Sequence, residues 1–300
     1  MTAVAAAREA LGPVGAFLPL GFTSAPPIDL QRDAVGRLER AGFRTAWSNE
    51  VVGGKDVLVQ LAVLLAATER MTFGTGIANI WARQPQTMHA AAAMLAQACP
   101  DRLVLGLGVG FPEQAASAGR EFGRPLATMR AYLRRMHDQT WPPAADVAYP
   151  RIVGAMGPKL LALGGEHADG AFPAGLPPAF TAQARQALGP DKLLVVGLTV
   201  IPDDDAERAK DVARQTVSGN LGRPSYAATL TSLGIGDAEV VDAVIGYGRP
   251  EAIAAKVREH LAAGADHVAL MLPPTTELAT GIEQLEWLAP TLSPIRGGTS

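Results

Sequence analysis

Short apolar runs alternate along this chain with segments whose apolar residues recur at helical spacing. Val14–Leu20 is the first run and ends at Gly21. Leu30, Ala34, Val35, Leu38 and Ala41 then repeat at the helical interval and stop at Gly42, a residue suited to the position just past a helix. Phe43–Ser48 predicts a second strand, Val57, Leu58, Leu61, Leu64 and Leu65 a helix, and Met71–Ala78 a third strand. Met88, Ala91, Ala92 and Leu95 mark the next helix, and Leu103–Gly108 a fourth strand. Further strands are predicted at Arg151–Ala155, Asp169–Phe172, Leu193–Ile201 and His267–Leu272. The segments opening at Arg40-Ala41-Gly42-Phe43 and Ala262-Ala263-Gly264-Ala265 share a pattern in which a helix ends at Ala-Gly and a strand follows at once.

Continuous apolar strands, most followed by a helix, suit a parallel sheet covered on both faces. The predicted fold class is α/β, a (β/α)8 TIM barrel with insertions after strands 4 and 7, formed by residues 1–300 as a single domain. Residues 111–150 form an insertion or lid segment carrying Phe122-Gly123-Arg124-Pro125 and Trp141-Pro142-Pro143. Residues 202–266 form a helical excursion before the last strand, with helices over Asp204–Val217 and Arg249–Ala263 and Pro250 at a first helical position. Insertions that follow a barrel strand's C-terminal end lie at the catalytic face; for the second stretch, outer packing helices are the plainer reading.

Composition narrows the class. Lys plus Arg number 26 and Asp plus Glu 29, so the net charge of −3 gives no electrostatic reason to expect nucleic acid or an anionic membrane as partner. Hydrophobic residues at 48% and charged residues at 18% exclude a disordered chain. A single cysteine, Cys99, forms neither an intrachain disulfide nor a thiolate metal site, which suits a reducing, cytoplasmic setting. No apolar run reaches the ~18 residues that span a bilayer. Leu11–Phe22 is apolar, but Glu9 follows Arg8 and Pro13 and Pro19 interrupt the run, which argues against an export signal.

Three segments carry candidate chemistry. Gly106-Leu107-Gly108-Val109-Gly110 ends strand four; its glycines admit either a flat group or simply a tight strand end, and Phe111-Pro112-Glu113 fits poorly with a helix opening directly on the last glycine. Gly154-Ala155-Met156-Gly157-Pro158-Lys159 ends strand five and opens a helix, where free N–H groups beside a lysine form an anion site, or a plain Gly-Pro helix start. Trp47-Ser48-Asn49-Glu50 ends strand two; Glu50 is either an acid/base raised by burial or a solvated loop carboxylate. The histidines at 89, 137, 167, 260 and 267 show no metal-ligand spacing and read as structural or surface residues. A Gly-x-Ser-x-Gly elbow, a Walker-type loop and paired cysteines are all missing from the sequence.

Taken together, these segments resemble the luciferase-like monooxygenase superfamily, in its branch of oxidoreductases dependent on the deazaflavin coenzyme F420. The resemblance runs over roughly Gly12 to Leu288 and is strongest in Thr72-Phe73-Gly74-Thr75-Gly76-Ile77-Ala78-Asn79-Ile80-Trp81-Ala82-Arg83-Gln84-Pro85 and in Asp101–Gly110, recurring at Gly157-Pro158-Lys159 and Ala168-Asp169-Gly170-Ala171. It implies a barrel that holds F420 at the C-terminal ends of its strands, with FMN as the alternative cofactor. It also implies a bulge in strand three with a non-proline cis peptide at Gly76-Ile77, Asn79 at the ring's polar edge, and Gly108 and Val109 flanking the cofactor. Ala155, Met156, Gly157, Pro158 and Lys159 would hold its phosphate. Where many relatives carry an Asp-His pair, this chain has Asn49-Glu50, so the expected roles are Glu50 as acid/base and Asn49 as hydrogen-bond donor to the ring edge.

The function implied is hydride transfer between F420 and a small organic substrate. An FMN-dependent monooxygenase and a catalytically silent (deaza)flavin carrier are the alternatives; an aldolase-type barrel lacks a well-placed lysine. The resemblance further implies a homodimer, for which the Ala-rich helix Thr87–Ala98 is a candidate contact.

Overall fold

The computed structural model describes residues 2–20 and 25–296. Gly21, where the first apolar run ends, and Phe22, Thr23 and Ser24 lie outside the described residues. The strands are β1 (Val14–Phe17), β2 (Thr45–Ser48), β3 (Thr72–Thr75), β4 (Ala78–Asn79), β5 (Leu103–Gly108), β6 (Arg151–Gly154), β7 (Gly170–Phe172), β8 (Leu193–Pro202), β9 (Ile245–Gly248) and β10 (His267–Met271). The order β10-β1-β2-β3-β5-β6-β7-β8 closes through a β10–β8 pairing, and the ladders are parallel. This is the (β/α)8 barrel predicted from the sequence.

Three details differ from the sequence reading. The third strand is not continuous: it breaks after Thr75, and β4 resumes it against β5. The stretch before the last strand is not wholly helical, because β9 extends the sheet by pairing with the upper half of β8, from Thr199 to Pro202. A helix also precedes the barrel, Ala3–Leu11, capped by Thr2 and burying Val4, Ala7 and Leu11. Those three side chains join Val104, Ile152, Leu193 and Val195 in one cluster, so this helix seals the N-terminal end of the barrel.

Strand alternation divides the core into two shells. The outward positions Ala16, Ala46, Phe73, Leu105 and Val153 pack with the surrounding helices. The inward positions hold a few large rings set against glycines: Trp47 stacks near Phe172 and His267 with centroids 5.0 and 5.7 Å away. A Cβ at Gly74 would lie 2.2 Å from the Trp47 ring, so the indole occupies space that any side chain on β3 would need.

His267 is wholly buried in this interior. Trp47 Nε1 donates to its Nε2 at 2.9 Å, and its Nδ1 donates to the Gly12 carbonyl at 2.6 Å, an arrangement that requires the neutral ring. His260 is likewise buried, its Nδ1 2.8 Å from the Thr181 hydroxyl. Burial pushes both imidazoles down to about 4. Both folded values lie below the unfolded one, so the unfolded chain binds more protons between about pH 6.5 and about pH 4. Stability is therefore expected to fall as pH drops through that window, read as a decreasing urea midpoint, and to be restored in part by His260→Gln.

Among the described residues, no helix is long and apolar enough to cross a membrane.

Candidate active site

The alternation that turns Thr45 and Trp47 inward continues past the end of β2 and separates the next two residues. Asn49 follows the inward set and lines a cleft at the C-terminal mouth of the barrel, open to solvent, with Phe17, Gly76, Met271 and Pro273 among its walls. Glu50 follows the outward set. Its carboxylate accepts from Arg83 Nη1 at 2.6 Å, from the Asn79 amide at 2.7 Å and from the Val57 amide at 3.4 Å, and it is 3% exposed. Arg83 also pairs with Asp56, which caps the helix Val57–Ala66 through Val59 N at 2.9 Å.

These contacts hold the break in strand three. Gly76 N donates to the Ser48 carbonyl at 2.8 Å and Glu50 N to the Ile77 carbonyl at 3.1 Å, while the Glu50 carboxylate takes the first amide of β4's last residue, Asn79. The Gly76–Ile77 peptide is cis, at the position the resemblance implied. A Cβ at Gly76 would meet Phe17 and Phe172 at 2.6 Å, so only glycine lets the chain turn there above the two rings. The half-buried Ile77 lies over β5 and β6: its side chain would touch a Cβ at Gly108 at 2.5 Å and one at Gly154 at 3.1 Å. Gly106 makes room for the Thr75 carbonyl and Gly108 for Ile77. The glycine run thus receives protein atoms from β3 and its bulge, which answers the open question of why those side chains are missing.

The remaining expected residues fall in two places. Asn79 is fully buried; its Oδ1 accepts from Trp81 N at 3.0 Å, and its Nδ2 has no partner and lies beside Gly110. The Val109 carbonyl accepts from Trp81 Nε1 at 2.7 Å. A helix, Pro112–Ser117, opens two residues beyond Gly110 rather than directly on it, as the sequence suggested, with Pro112 at its first position, where no N–H is needed. From Gly154, beneath Ile77, the chain leads through buried Ala155 and exposed Met156 to the helix Pro158–His167. Gly157 precedes that helix with no side-chain cap, Pro158 takes its first position, and Lys159 is exposed beside its free N–H groups.

Burial pushes the Glu50 carboxyl above its usual range, while the hydrogen bond and charge of Arg83 draw it back. Lys55 was missed by sequence reasoning. Its Nζ donates to Asn49 Oδ1 at 3.0 Å and to Ser48 Oγ at 3.5 Å, and burial pushes it down to about 8 against the opposing pull of Glu50. Nothing local marks a lysine in a short turn as half-buried and turned toward Asn49. Arg83 lies within the strand-three segment that carries the resemblance, but its pairing with Glu50 was not read from the sequence either.

The chain matches the luciferase-like monooxygenase family over residues 13–267 and belongs to it. Among its relatives, a Mycobacterium tuberculosis protein named a coenzyme F420-dependent oxidoreductase is 30% identical over 190 residues, 52% of this chain and 54% of that protein. The chain spans about half the length of the curated relatives it matches. An F420-dependent secondary alcohol dehydrogenase solved with an F420–acetone adduct shares the fold at a TM-score of 0.73 and 17% identity, over 94% of this chain and 99% of that one. So does the oxygenating constituent of 3,6-diketocamphane monooxygenase from Pseudomonas putida, solved with FMN, at 0.69 and 14% identity over 95% and 98% of the two chains.

Proposed function

We propose that the protein is an oxidoreductase that binds F420 at the barrel mouth and exchanges a hydride between it and a small organic substrate. The observation that carries this reading is a buried donor without a partner, Asn49 Nδ2, on a residue that lines the cleft together with Gly76, the first residue of the cis Gly76–Ile77 peptide. A planar ring with carbonyl groups on one edge fits that wall, since it supplies the acceptor that Asn49 lacks. Asn49, Gly76 and Ile77 would hold the ring, and Gly157, Pro158 and Lys159 its phosphate. When bound, F420 supplies the hydride chemistry, and the protein contributes position and exclusion of water. Glu50, saturated by three donors and turned away from the cleft, fixes the bulge in this reading; it replaces the acid/base role expected from the sequence.

F420 and FMN titrated side by side, followed by ring absorbance or fluorescence, test the proposal. F420 is expected to bind more tightly; tighter FMN binding would favour the oxygen-activating alternative, and binding of neither would end both. Lys159→Ala is expected to weaken F420 about tenfold and to reduce the salt dependence of binding, as removal of one phosphate-directed charge requires. The proposal includes a homodimer: Val59 and Met94, 64% and 69% exposed on the neighbouring helices Val57–Ala66 and Pro85–Ala98, support it.

A further inference from the structure

The Asn49 amide has two ends, and its neighbours determine which faces the cleft. An ammonium donates and never accepts, so the end that meets Lys55 Nζ at 3.0 Å is the oxygen. The NH2 end is left buried and unpartnered, on a residue that is 6% exposed and lines the mouth. The polar chain behind Lys55 runs in one direction. Lys55 donates to Ser48 Oγ, Ser48 donates to Gln60 Oε1 at 2.7 Å, Gln60 to Gln31 Oε1 at 2.5 Å, and Gln31 to the Pro26 carbonyl at 2.6 Å. Reversing it would require the ammonium to accept.

Resting on the reading of the mouth as a site for a deazaflavin or flavin ring, the geometry points to Lys55 as a positioning residue that holds the Asn49 amide with its NH2 toward the carbonyl-bearing edge of that ring. Loss of the Lys55 proton lifts the constraint, because a free amine accepts as well as donates and the amide then turns either way. Burial sets that loss at about pH 8. The charged groups around Lys55 are Glu50, which opposes the shift, and beyond it Arg83 and Asp56, paired with each other and, for Arg83, with Glu50. Ring affinity is therefore full below about pH 8 and declines above it.

The test is F420 binding to the whole protein, followed by fluorescence on both sides of pH 8, with FMN as a second probe. In the unmutated protein affinity should fall at least about twofold through this range, because an amide free to turn either way presents its NH2 to the ring only part of the time. Lys55→Met should bind at the weaker level throughout, with that step removed. Lys55→Arg, charged at every pH used, should keep the tight binding and also lack the step. Titration of the ring itself would appear equally in all three proteins. Asn49→Asp, which keeps the Lys55 contact and loses the NH2, should fold normally and bind weakly at every pH. Should Lys55→Met fail to fold, the arginine variant decides: a step at the same pH as in the unmutated protein overturns the assignment. Unchanged affinity and an unchanged profile in Lys55→Met overturn it too, while leaving the site's function standing. Absence of F420 and FMN binding in the unmutated protein at any pH overturns the function and this assignment together.

Discussion

Glu50→Gln is expected to destabilise the protein by about 3 kcal/mol and to weaken F420 binding in the same variant. The substitution removes the charge that Arg83 meets at 2.6 Å in a site where Glu50 is 3% exposed. The guanidinium keeps Asp56, but that carboxylate is about half exposed and does not touch β4. An amide oxygen can still take the Asn79 N–H, yet its NH2 end would face Arg83, donor against donor. Urea unfolding and an F420 titration on the same variant check this. A variant with the original midpoint and affinity that has lost turnover alone would return Glu50 to the acid/base role expected from its place in the sequence.

Gly106→Ala is expected to cost about 3 kcal/mol through overpacking. The new Cβ would lie 2.0 Å from the Thr75 carbonyl oxygen, which is backbone and cannot swing aside. The same contact is fixed by Thr75 Oγ1, which donates to the Gly106 carbonyl at 2.7 Å and accepts from its amide at 2.8 Å. Gly157→Ala is the matched control. Nothing lies within 4 Å of its added Cβ and its φ of −163° suits any residue, so stability should change by less than about 0.5 kcal/mol. Equal midpoints for the two variants would remove the packing account of the glycine run.

The periodic features of this chain were legible because each is decided locally. Gly42 and Gly264 take φ of 87° and 100°, the left-handed conformation in which a helix turns into the next strand, and both positions were readable from the Ala-Gly pattern. The strand β9 was not, because Ile245 continues directly from the helical run Val240–Val244 and only pairing with an overlong β8 tells one from the other. The helix Ala3–Leu11 carried a signal, a Thr2 cap before apolar residues at 4, 7 and 11, which the proline-broken stretch after it obscured. Asn49 and Glu50 do follow the end of strand two, as read from the sequence, but their opposite directions depend on register. Arg83 and Glu50 stand 33 positions apart, and a half-buried lysine at 55 is defined only by what folds over it.

The stopper that Ala3–Leu11 puts into the lower rim makes the barrel a vessel with one opening. In the proposed reading, the ring and the molecule that reacts with it would both enter by the C-terminal mouth.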